Sequence, residues 1–328
     1  MNGTRTTTPG LFRIARRHAT SGVRLASLTL LAALAGCADT PTMPLEASHV
    51  NAITPVRPPS GGAAPTIAFS AEVENIWQIF TIDPDGSGLQ RLTKGRTHSL
   101  MPAWSPDRQR IAFIRQGRAG GFTLHTMSAG GKGARQITSA EYAALYPSWS
   151  PDGNTIVFAG FEPGQRSEIY TVPADGSAAP TRLTTDSLYD VQPVFSPDGS
   201  KIAMMRYGTT SVPNIFLMDP DGQNITQFTF CTMGCQSPMW SPDGSKLAFQ
   251  RQDSLFVATL GAGNPVGVAA GLTGSARASW SPDGTELVFV AKAPGTFMPD
   301  LFAVPAAGGQ PRRLTSSSLE ERTPSWAQ

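Results

Sequence analysis

The sequence predicts an all-β fold, a six-bladed β-propeller of four-stranded antiparallel blades, closed by pairing of the N- and C-terminal strands in one blade. Three observations support this prediction. One short motif recurs at intervals of 40 to 46 residues, and each copy is followed by the same series of short strands and turns. The two ends of the repeat region also supply complementary parts of one unit. The predicted propeller occupies residues 64–328.

The recurring motif is an aromatic residue followed by Ser-Pro-Asp. Successive aromatic positions lie 45, 46, 45, 40 and 46 residues apart, and five of the six Trp residues of the chain occupy them. Repetition at this interval is typical of proteins built from similar units that pack against one another. The five full copies begin at Trp104, Trp149, Phe195, Trp240 and Trp280, and a shortened sixth copy is Pro324-Ser325-Trp326.

Each copy of the motif precedes the same order of elements. Ser-Pro-Asp-Gly predicts a tight turn, because Pro presets φ for the second turn position and Gly accepts a left-handed backbone. A short apolar strand follows, as at residues 156–158, and then a second strand, as at residues 168–172. Another turn leads to a short strand that ends in Leu-Thr, as at residues 182–184. Strands that are apolar on both faces predict a blade that needs a neighbour on each side.

The two ends of the repeat region complete one blade. Residues 66–70 match the strand that follows a Trp-Ser-Pro-Asp turn, although no such turn precedes them. Residues 323–326 match the strand that precedes such a turn. We therefore expect the C-terminal segment to provide the innermost strand of a blade whose other three strands lie in residues 66–93. This pairing would remove a free sheet edge.

The first 63 residues have the composition of an export signal and a tether. Residues 1–36 are predicted to be a lipoprotein signal peptide, because an arginine-rich, acid-free segment precedes an apolar run at 25–36 that is too short to span a bilayer. Residues 34–37 (Leu-Ala-Gly-Cys) resemble the lipobox of bacterial lipoproteins, which implies cleavage before Cys37 and lipidation of this cysteine. An ordinary signal peptide with an incidental cysteine is the alternative. Residues 37–63, which begin with the lipidated Cys37, are expected to form a flexible Pro-rich tether.

The charge of the chain argues against nucleic-acid binding. The chain has 26 Lys and Arg residues against 24 Asp and Glu residues, and five of the arginines lie in residues 1–37. The rest of the chain has 21 basic and 24 acidic residues. Such a balance lacks the basic patch on which nucleic-acid binding depends.

The repeats resemble those of the TolB family, whose propeller is built from WD-like units. The resemblance covers residues 66–326, and six copies in register make it specific for the fold. It implies a protein of the cell envelope, because the family bridges envelope proteins through a peptidoglycan-associated lipoprotein. The resemblance of residues 34–37 to a lipobox, with Ala38 after the lipidated cysteine, implies an outer-membrane anchor facing the periplasm.

Few residues carry chemistry beyond the repeat. The motif aspartates recur at the same place in every unit, so turn formation explains them. Cys231 and Cys235 are expected to form a disulfide bond in an oxidising envelope. We expect no metal, no cofactor and no catalytic residue. The chain has no Gly-x-Ser-x-Gly or His-Glu-x-x-His motif, and His125 is interpreted as a packed strand residue.

A four-stranded blade has two rims. The Ser-Pro-Asp-Gly turns and the Asp-Pro-Asp-Gly-like turns lie on one rim, which we call the turn rim. The loops after the second strand and the loops between blades lie on the other, the loop rim. These loops differ in every repeat, and repeat proteins usually bind partners on such a face. The candidate binding residues near the channel on this rim are His98, Tyr142, Tyr146, Tyr189, Arg277 and Arg322.

The sequence thus predicts a non-enzymatic envelope lipoprotein whose propeller binds or scaffolds an envelope protein. The expected protein is a monomer that contacts the membrane only through its lipid anchor. Two alternatives remain open: a propeller that binds carbohydrate or another small ligand, and a propeller enzyme such as a lyase or a peptidase-associated domain.

Overall fold

A computed structural model describes residues 67–117, 120–162, 164–186, 188–208, 211–269 and 272–328. The predicted signal peptide, the lipidation site at Cys37 and the tether lie outside the described residues. In the described part of the chain, no helix is long and apolar enough to cross a membrane.

Six four-stranded antiparallel sheets form the blades of the propeller. Each sheet follows chain order from its innermost to its outermost strand, except the first, whose innermost strand comes from the C-terminal end. Blade 1 contains β24 (Glu321–Trp326), β1 (Ile67–Val73), β2 (Ile76–Ile82) and β3 (Gln90–Arg91), and blade 2 contains β4 (Ser99–Trp104), β5 (Arg110–Gln116), β6 (Phe122–Ser128) and β7 (Arg135–Gln136). Blade 3 contains β8 (Ala143–Trp149), β9 (Thr155–Phe161), β10 (Ser167–Pro173) and β11 (Thr181–Arg182), and blade 4 contains β12 (Tyr189–Phe195), β13 (Ile202–Tyr207), β14 (Pro213–Met218) and β15 (Thr226–Gln227). Blade 5 contains β16 (Cys235–Trp240), β17 (Lys246–Arg251), β18 (Ser254–Thr259) and β19 (Ala262–Gly267), and blade 6 contains β20 (Thr273–Trp280), β21 (Glu286–Lys292), β22 (Asp300–Pro305) and β23 (Arg312–Arg313).

The ring closes through blade 1. Strand β24 pairs antiparallel with β1, and Trp326 lies opposite Ile67. This pairing confirms the predicted closure and leaves β1 without a free edge. The innermost strands of neighbouring blades contact one another around the ring, so these six strands line a central channel.

The Ser-Pro-Asp-Gly turns are held by one repeated hydrogen-bond pattern. In blade 3 the Ser150 hydroxyl donates to the Asp152 carboxylate at 2.5 Å and accepts the Thr155 backbone N–H at 2.9 Å. The serine hydroxyl and a backbone N–H lower the pKa of Asp152. Arg108, which replaces the turn glycine in blade 2, keeps the turn with a positive φ of 57°. The motif aspartates are therefore turn residues, as the sequence indicates.

Aromatic pairs between the second and third strands form the core of the blades. Phe69 stacks on Phe80 and Phe158 on Tyr170, with ring centroids 5.8 and 5.7 Å apart. His125 takes the same position opposite Phe113 in blade 2. His125 therefore packs in the blade as the core aromatic residues of the other blades do.

The Leu-Thr signature ties the outermost strand to the third strand. In blade 3 the Thr184 hydroxyl accepts the Ile169 backbone N–H at 3.0 Å. A threonine does the same in blades 1, 2, 4 and 6. The hydroxyl thus satisfies a buried backbone donor at the point where the two-residue outer strand ends.

Candidate binding sites on the loop rim and in the central channel

Each innermost strand bends at a residue with a positive φ angle, beside an irregularity in its pairing with the second strand. In five blades this residue precedes the proline of the x-Pro-x-aromatic pattern. L-residues rarely adopt this conformation, so packing around the channel must hold it in place. The six residues, one from each blade, are Met101, Tyr146, Gln192, Ser237, Arg277 and Thr323.

Two of these residues meet across the channel. The Arg277 guanidinium of blade 6 lies 4.8 Å from the centroid of the Tyr146 ring, which comes from blade 3 on the opposite side. Burial raises the pKa of Tyr146 and lowers the pKa of Arg277. A cation facing an aromatic ring is attracted by its quadrupole, and more strongly where water is excluded. The pair spans the channel between its two mouths.

A cavity lies on the turn-rim side of this pair. Its volume is about 370 Å³, and the ends of all six innermost strands contribute to its wall. Arg277 lines the cavity together with Met101 and Thr323. The sequence predicts binding on the loop rim, and no repeat pattern indicates a cavity on the opposite side.

The loop rim displays exposed apolar side chains. Phe230 and Met233 lie in the loop between blades 4 and 5 and are 79% and 65% exposed. Phe297 and Met298 lie in the loop between β21 and β22 and are 89% and 47% exposed. Val266 is the other large apolar side chain exposed among the described residues, and it belongs to the outermost strand β19. Sequence reasoning missed Phe297 and Met298, although two large apolar residues in a Pro- and Gly-containing loop were a usable signal.

The other candidate residues of the loop rim make local contacts. The His98 Nδ1 atom accepts the Trp77 backbone N–H at 3.3 Å. Tyr142 packs edge-on against Tyr170, with ring centroids 5.6 Å apart.

Tyr189 and Arg322 are also packed. Tyr189 lies between Phe161 and Tyr207, with ring centroids 5.9 and 5.6 Å away. Arg322 pairs with Glu320 and lies 4.8 Å above the Trp77 ring. The structure therefore brings Tyr146 and Arg277 into contact, whereas His98, Tyr142, Tyr189 and Arg322 are held by their own neighbours.

A disulfide bond joins Cys231 to Cys235, with their Cα atoms 5.8 Å apart. The bond encloses Met233 and follows directly after Phe230. It fixes the base of the loop that carries both exposed side chains.

Three carboxylates cluster between blades 3 and 4, at Glu168, Asp186 and Asp190. Arginines already pair with them: Arg206 donates to both carboxylate oxygens of Asp190 at 2.7 and 2.6 Å and reaches Asp186 at 2.8 Å. Arg182 pairs with Glu168 at 2.6 Å. Burial raises the pKa values of Glu168 and Asp190, and the hydrogen bonds from the arginines oppose this shift. The cluster is an ion-pair network that joins two blades.

The position of His125 is poorly suited to proton transfer. Burial lowers the pKa of His125 to about 4, and its Nε2 atom lies 3.0 Å from the Thr123 hydroxyl inside the blade. This geometry fits a packed aromatic residue, and a general base needs access to substrate.

Comparison with known proteins agrees with the architecture. The model of the TolB beta propeller domain family (PD40) matches residues 65–253, which is more than half of the chain. The chain belongs to the TolB β-propeller domain family. This membership confirms the resemblance inferred from the repeats.

Individual relatives of the family match over part of their length. A TolB homologue from Chlorobium luteolum is 31% identical over 157 residues, which cover 47% of this chain and 34% of the homologue. The match thus spans about a third of that relative. The structure of TolB from Acinetobacter baumannii has a TM-score of 0.69 at 22% identity and covers 80% of this chain and 66% of that one.

The same fold occurs in an enzyme. An oligogalacturonate lyase from Vibrio parahaemolyticus has a TM-score of 0.55 at 14% identity and covers 77% of this chain and 75% of that one. Similarity at this level shows the shared fold, and fold alone does not fix function.

Proposed function

We propose that this protein is a non-enzymatic envelope lipoprotein whose propeller binds or scaffolds another envelope protein through its loop rim. The observation that carries the proposal is the concentration of exposed apolar side chains on this rim. Phe230, Met233, Phe297 and Met298 belong to its loops. Large apolar side chains that lose water on association are typical anchors of protein interfaces.

The rest of the rim suits this role. The disulfide bond between Cys231 and Cys235 limits the motion of the loop that carries Phe230 and Met233. A pre-ordered loop loses less conformational entropy on binding. We also propose that Cys37 is lipidated and holds the protein, as a monomer, at the outer membrane facing the periplasm.

Capture experiments with the purified protein test the rim directly. The double variant Phe297→Ser/Met298→Ser and the single variant Phe230→Ser should each capture at least tenfold less partner from envelope extract, because each loses an apolar anchor. Val266→Ser is the matched control, since Val266 is 57% exposed on the outer wall of blade 5. Equal capture by the rim variants and the control, with unchanged thermal unfolding, would refute the placement.

The enzymatic alternative has its own test. The lyase with the same fold makes a propeller enzyme a reasonable competitor. A stoichiometric metal in the purified protein, together with turnover of oligogalacturonate, would favour that alternative. Lack of turnover with partner capture intact is the result we expect.

A further inference from the structure

The channel cavity has the size of a ligand site. Its volume of about 370 Å³ falls within the range of pockets that bind small molecules, roughly 300–1,000 Å³. It opens on the turn rim, because its wall includes Ser105 and Pro106 of one turn and Ser196 and Pro197 of another. The cavity is therefore separate from the loop-rim surface proposed above, and an inference from it goes beyond partner docking.

Arg277 has the only charged side chain among the described residues that line the cavity. None of the described carboxylates lies within 4.0 Å of its guanidinium. The guanidinium makes a cation–π contact with the Tyr146 ring, and this contact leaves room for an anionic partner as well. Arg277 is half-buried, and a partly desolvated cation without a counter-ion is unfavourable, so a bound anion would stabilise this arrangement.

Residues with hydroxyl groups line the cavity on the side from which Arg277 comes. Ser279 follows it in β20, and Thr323 and Ser325 lie in the neighbouring strand β24. The Ser279 hydroxyl accepts the Trp326 backbone N–H at 2.9 Å, and the Ser325 hydroxyl accepts the Trp104 backbone N–H at 3.2 Å. Among the described residues neither hydroxyl donates a hydrogen bond, so both protons are available to an acceptor.

The rest of the cavity wall is mainly apolar. Met101 and Ala103 of β4 and Met239 of β16 lie beside the Arg277 sector, and Val194 and Phe195 of β12 lie across the channel from it, together with Ser148 of β8. The cavity therefore combines one cationic, hydroxyl-bearing sector with a mainly hydrophobic wall. Ligand pockets typically place a few polar groups in a mainly apolar wall to fix the orientation of the ligand.

We propose that the cavity binds a carboxylate attached to an apolar body, with Arg277 as its counter-ion and the Ser279 and Ser325 hydroxyls as further donors. An arginine fork matches the geometry of a carboxylate. Two sources share this chemistry: the carboxyl terminus of a peptide that ends in an apolar residue, and a free carboxylic acid.

The turn aspartates determine how salt should affect carboxylate binding. Asp107, Asp152, Asp198, Asp243 and Asp283 follow the Ser-Pro pairs of the turn rim, and hydrogen bonds from the turn serines lower their pKa values. Their negative charges repel a carboxylate, and added salt screens this repulsion together with the attraction of Arg277. We therefore expect the affinity for a carboxylate to change less than about threefold between 50 and 300 mM salt, whereas binding by exposed surface cations would weaken steeply.

Binding of defined probes to the purified protein tests the proposal. The probes are 4-phenylbutyrate and N-acetyl-Ala-Phe, each compared with its amide, by calorimetry and by fluorescence of the tryptophans that line the cavity. We expect at least one acid to bind with a dissociation constant of about 1 mM or tighter, and its amide at least tenfold more weakly. Binding by the peptide acid alone assigns the peptide terminus, and binding by both acids assigns carboxylates in general.

Variants link the binding to Arg277. Arg277→Gln should weaken acid binding at least tenfold, and Arg277→Lys should weaken it less. Arg251→Gln is the matched control, because Arg251 also lies over an aromatic ring, Phe256 at 5.6 Å, but on the outer part of blade 5. Equal binding of acids and amides, absence of binding by every probe, or full binding by a folded Arg277→Gln variant would overturn the proposal. Should Arg277→Gln fail to fold, the comparison of acids with amides still decides.

Discussion

Glu321 makes the stability of the propeller depend on pH in a way that can be measured. Its side chain is 2% exposed in β24, the strand that closes the ring. The Leu301 backbone N–H and the Thr315 hydroxyl donate to its carboxylate at 3.0 and 2.5 Å, and the Ser317 hydroxyl donates at 2.9 Å. Among the described residues no cation pairs with it, and burial raises its pKa to about 7 from the ordinary 4.5.

The magnitude follows from this shift. Between pH 4.5 and 7 the unfolded chain has lost the proton of Glu321 while the folded chain keeps it, so stability falls as the pH rises. The difference of 2.5 pH units corresponds to about 3 kcal/mol at about 1.4 kcal/mol per unit. His125 acts in the opposite direction. Its pKa falls from 6.5 to about 4 on folding, so its contribution to the free energy of unfolding rises as the pH increases from about 4 to 6.5. The two contributions nearly cancel in the parent protein between about pH 4.5 and 6.5.

Urea unfolding of two variants separates the contributions. The free energy of unfolding of Glu321→Gln should rise with pH from 4.5 to 6.5, because His125 still titrates. That of His125→Phe should fall from 4.5 to 7, because Glu321 still titrates. The difference in free energy of unfolding between Glu321→Gln and the parent should shift by about 3 kcal/mol in favour of the variant between pH 4.5 and 7.5.

Leu319→Ala supplies the control, because it truncates an apolar side chain packed near the ring closure and removes no ionisable group. Its free energy of unfolding should keep a nearly constant offset from that of the parent across the same range. A constant offset for Glu321→Gln would refute the account of a buried, unpaired carboxylate at the ring closure.

Further variants test three kinds of contact that hold strands and blades together. Arg206→Met should destabilise the protein by about 3–5 kcal/mol in urea unfolding, because it leaves Asp190 buried and unpaired. The double variant Arg206→Met/Asp190→Leu should recover most of this loss. A loss below about 1 kcal/mol for Arg206→Met would contradict the buried pair. Cys231→Ser/Cys235→Ser should lower stability by about 2 kcal/mol, the value for closing so short a loop, and reduction of the parent by dithiothreitol should give the same change. Thr184→Val should lower the free energy of unfolding by about 2–4 kcal/mol and Thr93→Val by about 1–2 kcal/mol. The loss should be larger at Thr184, because its hydroxyl also donates to the buried Glu168 at 2.6 Å. Equal losses would argue against that added bond.

The repeat made the fold predictable. Aromatic-Ser-Pro-Asp turns, Leu-Thr strand ends and the complementary chain ends are local patterns, and each corresponds to a local contact in the structure. The Trp326–Ile67 pairing is the clearest case, because both residues belong to recognisable parts of one unit. Local patterns recur in every blade, so six copies reinforce one interpretation.

The candidate sites were less predictable, because they depend on contacts between distant blades. The approach of Arg277 to Tyr146 follows from the curvature of the ring and from bends in two strands, which no repeat pattern encodes. The cavity also results from the ring as a whole. Exposure of Phe297 depends on whether its loop folds back on the blade, and the sequence alone does not determine this.

Site-specific photo-crosslinking tests the central claim, that an envelope protein docks on the loop rim. A photoreactive phenylalanine analogue would replace Phe297 on the loop rim and, in separate proteins, Thr285 on the turn rim and Val266 on the outer wall. The account predicts one discrete crosslinked species from position 297 and none from positions 285 and 266. Crosslinks from position 285 with none from position 297 would contradict it.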